Sequence, residues 1–390
     1  MSAAGSGAAS VREGIPLGKI AGVPIVLAYS WFLIAGFTVL VFGPQLSQGY
    51  PGLGFGAYGV AFVYALLLLF SVLIHELSHA LAAKMYHWPT QKIVLNLWGG
   101  HTQFENFTAT PGRSVVVAFA GPVANFVLAG LGWLLVAQLT MPTTLQAAVF
   151  STLANIFVWA NLLIGAFNVL PGLPLDGGRL VESIVWKATG NQDKGSLAAG
   201  WAGRIVVIVL LILAIGWPLI NGDQPTVTNV LFSLFIAGFL WLGASASITS
   251  AKMRLRLPDV SAGKLSSYAV GMASSSSVAQ VRAVTVANPQ LSVVLCGPDG
   301  RPEAVVDPTA AAAVPEEVAA GTSATAVARA LAPGAYIPEQ AAGQELVQYL
   351  AQLAGSEYAV VDPRGQVTGL LHQSVVVAAI TGRPGPGLRK

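Results

Sequence analysis

Three ionisable residues, His75, Glu76 and His79, stand within five consecutive positions of an otherwise apolar stretch. Residues four positions apart share one face of an α-helix, so the two histidines could bind one metal ion together. Glu76 lies one position round the helix, where its carboxylate could act as general base on a water activated by that metal. The alternative is a chance grouping of buried polar residues, but ionisable side chains in an apolar helix are costly and rare unless they are functional.

A catalytic zinc site usually has three protein ligands and one open position, so this motif needs a third ligand. The candidates are few, because residues 1–257 contain only seven acidic residues and four histidines. We expect Asp176, which follows a run of 62 uncharged residues and stands among prolines and glycines that interrupt the helix. The alternative is that Asp176 forms an ion pair with Arg179. Two histidines and a carboxylate suit Zn²⁺, although an open iron site uses the same ligands.

The elements that carry these residues are predicted to lie in a membrane. The chain has 390 residues, of which 54% are hydrophobic and 9% charged, and its mean hydropathy is +0.67. Soluble domains have roughly 25% charged residues, and disordered chains combine high charge with low hydrophobicity, so the composition excludes both classes. The single cysteine, Cys296, excludes a disulfide scaffold. The net charge of +3 is too small to indicate a nucleic-acid partner.

Four segments contain no Asp, Glu, Lys or Arg, and they are 56, 62, 18 and 28 residues long: 20–75, 114–175, 205–222 and 224–251. A helix needs about 20 apolar residues to cross a bilayer, so each long segment holds two spans and each short one holds a single span. Polar turns at 44–51 and 140–144 divide the two long segments. We therefore predict six transmembrane helices, at about 23–43, 57–86, 112–139, 145–169, 203–221 and 226–249.

The basic residues predict the orientation of these spans. All 12 lysines and arginines before residue 257 fall on one side of a membrane crossed in this way, and the other side has none. Cytoplasmic loops are enriched in basic residues, so we expect a multi-pass protein of the cell membrane with both termini in the cytoplasm. The metal site would then lie in the cytoplasmic leaflet, and water would need a polar cavity to reach it.

The composition changes after residue 257. Residues 258–390 have 8 basic and 10 acidic residues and no long apolar run, whereas residues 1–257 have 12 and 7. We therefore predict a membrane domain at 1–257 and a soluble cytoplasmic domain at 258–390. Two strand-and-turn patterns, beginning at Leu291 and Tyr358, stand 67 residues apart and suggest two copies of one α+β unit.

His75-Glu76-Leu77-Ser78-His79 in an apolar span, followed about 100 residues later by Leu175-Asp176-Gly177, resembles the site-2 protease family of intramembrane zinc metalloproteases. The resemblance covers most of residues 20–250. It implies that His75, His79 and Asp176 bind one Zn²⁺ ion and that Glu76 activates water.

The same resemblance suggests residues that contact substrate. Gly121-Pro122-Val123-Ala124-Asn125 is similar to the family's Gly-x-x-x-Asn element, whose Asn contacts the extended substrate. The alternative for Asn125 is a hydrogen bond between helices. Asn168 would hold substrate backbone or the metal region. Residues 91–103, which include Gly99 and Gly100, alternate apolar and polar residues and resemble the family's membrane-dipping β-hairpin, which would receive substrate as an added strand.

Residues 258–390 resemble a tandem pair of CBS modules, found in one branch of this family. The matching stretches are 304–307 and 357–371. Such modules usually carry a Thr followed three residues later by a ribose-binding Asp, whereas this chain has His372-Gln373-Ser374-Val375. Two interpretations therefore stay open, a structural cap that forms a homodimer and a sensor of an adenine nucleotide.

The sequence thus predicts a helical polytopic membrane protein with a β-hairpin in its membrane domain and a cytoplasmic α+β tandem CBS-like domain. Its predicted function is intramembrane zinc endopeptidase, acting on single-pass transmembrane proteins near the cytoplasmic leaflet. The resemblance implies regulated proteolysis after a first cleavage, for example of an anti-sigma factor. The alternatives are a transporter or channel regulated by the CBS-like pair, and an inactive scaffold.

Overall fold

The computed structural model describes residues 14–104, 108–139 and 143–382. The chain divides into two compact units, Met1–Ile248 and Thr249–Lys390. This division falls inside one long helix, Val227–Arg256, and thus before the boundary that the change of composition predicts after residue 257.

The first unit consists of long helices and one small sheet. Its elements in chain order are β1 (Gly14–Ile20), β2 (Val23–Ala28), α1 (Trp31–Gly49), α2 (Gly56–Met85), β3 (Thr90–Asn96), β4 (Gly99–Phe104), α3 (Pro111–Gln138), α4 (Leu145–Val169), α5 (Gly178–Thr189), α6 (Gln192–Leu211), α7 (Trp217–Ile220) and α8 (Val227–Arg256). A π-helical segment, Ile212–Gly216, joins α6 to α7. Among the described residues, six helices are long and apolar enough to cross a bilayer: α1, α2, α3, α4, α6 continued through α7, and α8. The predicted number of spans is confirmed.

The first predicted span is wrong in its N-terminal part. Residues 23–28 form strand β2, and helix α1 begins only at Trp31. Ala21 and Gly22 both have positive φ, of 51° and 84°, which is the conformation of a two-residue hairpin turn. The uncharged run therefore contains a hairpin before its helix. Helix α1 also continues through Pro44 to Gly49, where the sequence predicted a turn.

The four strands of this unit form one sheet in the order β1-β2-β3-β4. Strands β2 and β3 are parallel, and the other two pairs are antiparallel. The predicted hairpin at 91–103 is thus part of a larger sheet, with β4 at its edge. Apolar side chains of β2 and β3, including Ile25 and Ile93, pack on helices α1 and α2, so the sheet is held against the helix that carries the histidines.

The start of the fifth span also differs from the prediction. The fifth span begins at Gln192 instead of residue 203, so it includes Asp193 and Lys194 at its start. Helix α5 was not predicted, because its strongly amphipathic sequence lies between the uncharged runs. The predicted turn at 140–144 falls partly on residues 140–142, which lie outside the described residues.

The second unit has one sheet of seven strands, in the order β8-β7-β6-β5-β11-β10-β9. Its elements are α9 (Ala262–Leu265), β5 (Ser267–Ala273), α10 (Val278–Ala287), β6 (Ser292–Cys296), β7 (Pro302–Val306), α11 (Pro308–Ala313), α12 (Glu316–Ala319), β8 (Ala328–Ala330), β9 (Tyr336–Pro338), α13 (Gly343–Gln352), β10 (Glu357–Val361), β11 (Val367–His372) and α14 (Gln373–Thr381).

The repeat predicted for this unit is present in its topology. Strand β5, helix α10 and the antiparallel pair β6–β7 correspond to strand β9, helix α13 and the antiparallel pair β10–β11. In each half, the first strand runs parallel to the second. Each half has its own apolar core, one around Leu295 and one around Tyr358. The predicted α+β tandem fold is confirmed.

Candidate metal centre

Helix α2 carries the two histidines and the glutamate on its buried side. His75, Glu76 and His79 are 5%, 7% and 7% exposed. Alanines along the same helix, among them Ala80 and Ala83, are fully buried. Such small side chains allow neighbouring helices to approach closely. The i, i+4 spacing therefore places both imidazole rings at a packed helix interface, with their ring centroids 4.7 Å apart.

Asp176 reaches this interface from the loop between α4 and α5. The loop turns back on the end of α4, because the amide of Gly177 donates a hydrogen bond to the carbonyl of Asn168 at 2.6 Å. A Cβ on Gly177 would overlap the carbonyl oxygens of Val169 and Leu170, so only glycine fits this tight turn. The glycine after the predicted ligand thus has a structural reason.

Three ligand atoms of these residues converge. His75 Nε2 and His79 Nε2 lie 3.0 and 3.2 Å from Asp176 Oδ2, and the two nitrogens are 3.1 Å apart. Tetrahedral ligands at the usual zinc distances of 2.0–2.1 Å are about 3.3 Å from one another. The donor set and its spacing therefore fit a zinc ion. Within the described residues, no other set of three His, Cys, Asp or Glu side chains converges in this way.

Gly121 of helix α3 leaves the space in which the rings meet. A Cβ at this position would overlap Nε2 of His79 and would lie 2.7 Å from Cε1 and Nε2 of His75. Any side chain at residue 121 would therefore occupy the volume next to the metal-binding nitrogens. The site depends on a close approach of α3 to α2 at this glycine.

Asp176 does not pair with Arg179, which was the alternative for this residue. Arg179 instead lies 3.4 Å from the buried carboxylate of Glu182. Asp176 Oδ2 faces Nε2 of His75 and Nε2 of His79, and a carboxylate binds a metal in its anionic form.

The second nitrogen of each imidazole is hydrogen-bonded. His79 Nδ1 donates to the backbone carbonyl of Val117 at 2.7 Å, and His75 Nδ1 donates to Oδ1 of Asn125 at 2.5 Å. Each of these bonds leaves the lone pair of Nε2 for a metal. Histidine ligands of metals are commonly held in this way.

Glu76 is oriented by the edge strand of the sheet. The hydroxyl of Thr102 in β4 donates to Glu76 Oε2 at 2.8 Å. A Cβ on Gly100, also in β4, would lie 2.5 Å from Cγ of Glu76, so the strand can approach the glutamate only with glycine there. A cavity of about 310 Å³ is lined by Glu76, His79, Asp176 and by β4. The polar cavity that the sequence requires is present.

The four residues that the sequence predicts to contact substrate lie in different surroundings. Gly99 begins the edge strand with φ of 114°, and Gly100 lines the cavity. Asn168 donates from Nδ2 to the carbonyl of Ile164 in its own helix at 3.0 Å, and its backbone holds the Asp176 loop. Asn125 is fully buried, and its side chain bonds to His75 and to Asn161.

The expectation that Asn125 touches substrate is therefore not supported by its position, since the side chain has no exposed surface. Sequence reasoning also missed Ser71, Asn161 and Thr102. The first two were detectable only as isolated polar residues in uncharged runs, which give no spacing signal. Their partners lie on other helices, so only the packing of the helices reveals the contacts.

The fold and the site together define a helical membrane protein with a buried metal centre and an adjacent carboxylate. Residues 63–154 and 135–213 match the model of peptidase family M50. The chain is 34% identical over 256 residues to a protein of Synechocystis sp. named "Putative zinc metalloprotease sll0528". The aligned residues cover 63% of this chain and 62% of that relative.

A solved site-2 protease from Methanocaldococcus jannaschii is 26% identical to the chain, with a TM-score of 0.40, and the match covers 60% of this chain and 94% of that one. The CBS domain of a bacterial CNNM/CorC family Mg²⁺ transporter is 16% identical to the chain, with a TM-score of 0.27. This match covers 40% of this chain and 96% of that domain.

Over residues 63–154 and 135–213 the chain is similar to peptidase family M50, in agreement with the resemblance that its motifs indicate. The zinc named in its relative agrees with the two histidines and one carboxylate of the site. The chain spans 62% of the length of that relative.

Proposed function

We propose that this protein is a zinc-dependent intramembrane endopeptidase that hydrolyses peptide bonds of transmembrane substrates. The observation that carries the proposal is the convergence of His75, His79 and Asp176 beside Glu76 on one polar cavity among apolar helices. Ionisable residues are rare inside membrane helices unless they are functional, which supports a metal-binding role for His75 and His79.

The residues of the chain divide the chemistry among them. Zinc, when bound by the three ligands, supplies Lewis acidity that polarises a peptide carbonyl and activates water. Glu76 takes the proton from the attacking water and passes it to the leaving amine. The hydrogen bond from Thr102 keeps one carboxylate oxygen of Glu76 in place, so its other oxygen is the one that exchanges the proton.

The substrate has to be extended at the scissile bond, because the backbone carbonyls of a helix are hydrogen-bonded within the helix and hidden from attack. Strand β4 lies at the edge of its sheet and lines the cavity. An unwound segment of substrate would pair with this edge as an additional strand. Gly99 and Gly100 would then contact the substrate through their backbone, and Asn168 would act by holding the Asp176 loop.

The distribution of basic residues supports an orientation with both termini in the cytoplasm and the site in the cytoplasmic leaflet. The natural substrate is then a single-pass protein cut near its cytoplasmic end, and an anti-sigma factor is an example of this class. For the C-terminal unit, a homodimer contact and an adenine-nucleotide site both remain proposals that rest on its CBS-like repeat.

The function is tested with Glu76→Gln, which keeps the size of the side chain and removes the base. Wild type and variant are reconstituted in liposomes with tagged single-span proteins that carry helix-breaking residues near their cytoplasmic end. We expect cleavage to fall about 10²–10⁴-fold, which is the usual contribution of a general acid–base, while zinc content stays unchanged. Glu316→Gln, an exposed glutamate of α12, is the matched control. Cleavage by Glu76→Gln at the wild-type rate would refute the mechanism.

A further inference from the structure

A buried chain of hydrogen bonds connects the first histidine of the metal site to three helices. Asn125 in α3 donates from Nδ2 to Oδ1 of Asn161 in α4 at 2.8 Å, and Asn161 donates from Nδ2 to Oγ of Ser71 in α2 at 2.9 Å. Ser71, Asn125 and Asn161 are all 0% exposed. We propose that these three residues are positioning residues, which fix the orientation and tautomer of His75 for binding of the metal. The proposal rests on the proposed function and deepens it.

The donor and the acceptor of every hydrogen bond in this series are determined by Ser71, which stands at the end away from the metal site. The hydroxyl of Ser71 donates to the carbonyl of Leu67 at 2.9 Å, so its oxygen is an acceptor for Asn161. The amide nitrogen of Asn161 also donates to the carbonyl of Phe157 at 2.9 Å. The nitrogen end of Asn161 is therefore committed to two acceptors, and its oxygen has to face Asn125.

The same reasoning continues to the metal site. Because Asn161 presents its oxygen, Asn125 has to present its Nδ2 to Asn161 and its Oδ1 to His75. His75 Nδ1 therefore carries the proton, and Nε2 has its lone pair free toward Asp176 and His79. The polarity of the chain thus selects the only neutral tautomer of His75 that can bind a metal through Nε2.

The two histidines differ in this respect. His79 is held by a backbone carbonyl, that of Val117, which no substitution of that residue removes. His75 depends on three side chains from three helices. Substitutions of Ser71, Asn125 or Asn161 should therefore weaken the metal site through His75 alone, although none of these three residues is a metal ligand.

A purely structural role is the competing explanation, because polar residues also join helices within membranes. Such a role would lower the stability of the protein equally with and without zinc. A positioning role would lower the affinity for zinc and would reduce the gain in thermal stability that zinc confers. Zinc affinity, measured by competition with a chromophoric chelator on the detergent-purified full chain, separates the two.

The first test compares two asparagines of the same helix. Asn161→Leu interrupts the series of hydrogen bonds, whereas Asn155→Leu removes an exposed asparagine that bonds to the carbonyl of Ser151 in its own helix. We expect Asn161→Leu to bind zinc about 10–100-fold more weakly, the usual effect of removing a group behind a metal ligand. Asn155→Leu should bind zinc as wild type does. Equal affinities of the two variants would overturn the proposal while leaving the protease function intact.

The second test asks for rescue at Asn125. Asn125→Asp keeps an oxygen that accepts the proton of His75 Nδ1 but has no N–H to donate to Asn161, whereas Asn125→Leu lacks both groups. We expect the aspartate variant to bind zinc much more tightly than the leucine variant and to keep the visible spectrum of the Co²⁺-substituted wild type. If both variants lose zinc equally, the hydrogen bonds through Asn125 have no positioning role. Wild type that binds no zinc would overturn the proposed function and this inference together.

Discussion

Buried polar side chains are distributed very unequally between the two units. In the described part of the membrane unit, the buried polar residues include His75, Glu76 and His79 and also Ser71, Asn125, Asn161 and Glu182. In the described part of the C-terminal unit, the buried side chains are apolar apart from the hydroxyl of Tyr358, which donates to the carbonyl of Gly355. The two units therefore use their interiors for different purposes.

The difference follows from the solvent around each unit. In the C-terminal unit, burial of apolar side chains from water stabilises the fold, and a buried polar group would only cost free energy. In the membrane, lipid is as apolar as the helices, so hydrophobic burial does not drive helices together. Polar groups buried there need another reason, and for Ser71, Asn125 and Asn161 this reason is their hydrogen-bonded connection to His75. This comparison predicts opposite responses to substitution in the two units.

The largest effect is expected from removal of a metal ligand. Asp176→Ala should reduce zinc from about one ion per chain to nearly none, because two histidines alone make an incomplete site. Metal content by mass spectrometry of the purified protein measures this. Asp223→Ala, at an exposed aspartate, should keep its zinc. Full zinc occupancy in Asp176→Ala would remove this residue from the ligand set.

A single methyl group should have nearly as large an effect at Gly121. Gly121→Ala places a Cβ against both imidazole rings, so zinc affinity should fall at least about 10-fold, comparable to the loss of a supporting contact. Gly130→Ala in the same helix meets no atom within 4 Å and should bind zinc normally. If the two variants bind zinc alike, helix α3 does not approach the metal site as closely as described.

The C-terminal unit should show the reverse pattern. Leu295→Ala removes a fully buried side chain from one of its cores and should destabilise that unit by about 2–5 kcal/mol. Thermal unfolding followed in the full chain measures the loss, and zinc content should not change. Val286→Ala, at a valine that is 79% exposed, is the control. Loss of zinc in Leu295→Ala would contradict the separation of roles between the two units.

A smaller effect is expected from the residue that supports the general base. Thr102→Val removes the hydroxyl that bonds to Glu76, which should lower kcat about 10-fold, in proportion to one hydrogen bond to a charged group. Zinc content should stay at the wild-type level. Thr38→Val removes a hydroxyl that bonds to the carbonyl of Ile34 in its own helix, and should leave kcat unchanged. An unchanged kcat in Thr102→Val would show that Glu76 does not need this contact.

The comparison also explains what could be predicted from sequence. The spans at 57–86, 112–139 and 145–169 agree with the structure to within one residue at each end, because the uncharged runs and the turn residues that divide them together locate these helices. The ligands were recognisable because His75 and His79 have a helical spacing and Asp176 follows a long uncharged run. Strand β2 was missed because lack of charge does not distinguish a strand from a helix. Asn161 was missed because its partners come from tertiary packing.

The smallest effect concerns the single cysteine of the apolar C-terminal unit. Burial raises the pKa of the Cys296 thiol, and the carboxylates of Glu303 and Asp299 raise it further. A raised pKa leaves less thiolate at a given pH, so alkylation by iodoacetamide at pH 7.5 should be slower than that of free cysteine and should accelerate as the pH rises. Glu303→Gln removes one negative charge, which lowers the pKa and should speed alkylation several-fold at constant pH. Glu316→Gln should not change the rate. If Glu303→Gln also leaves it unchanged, burial alone controls the thiol.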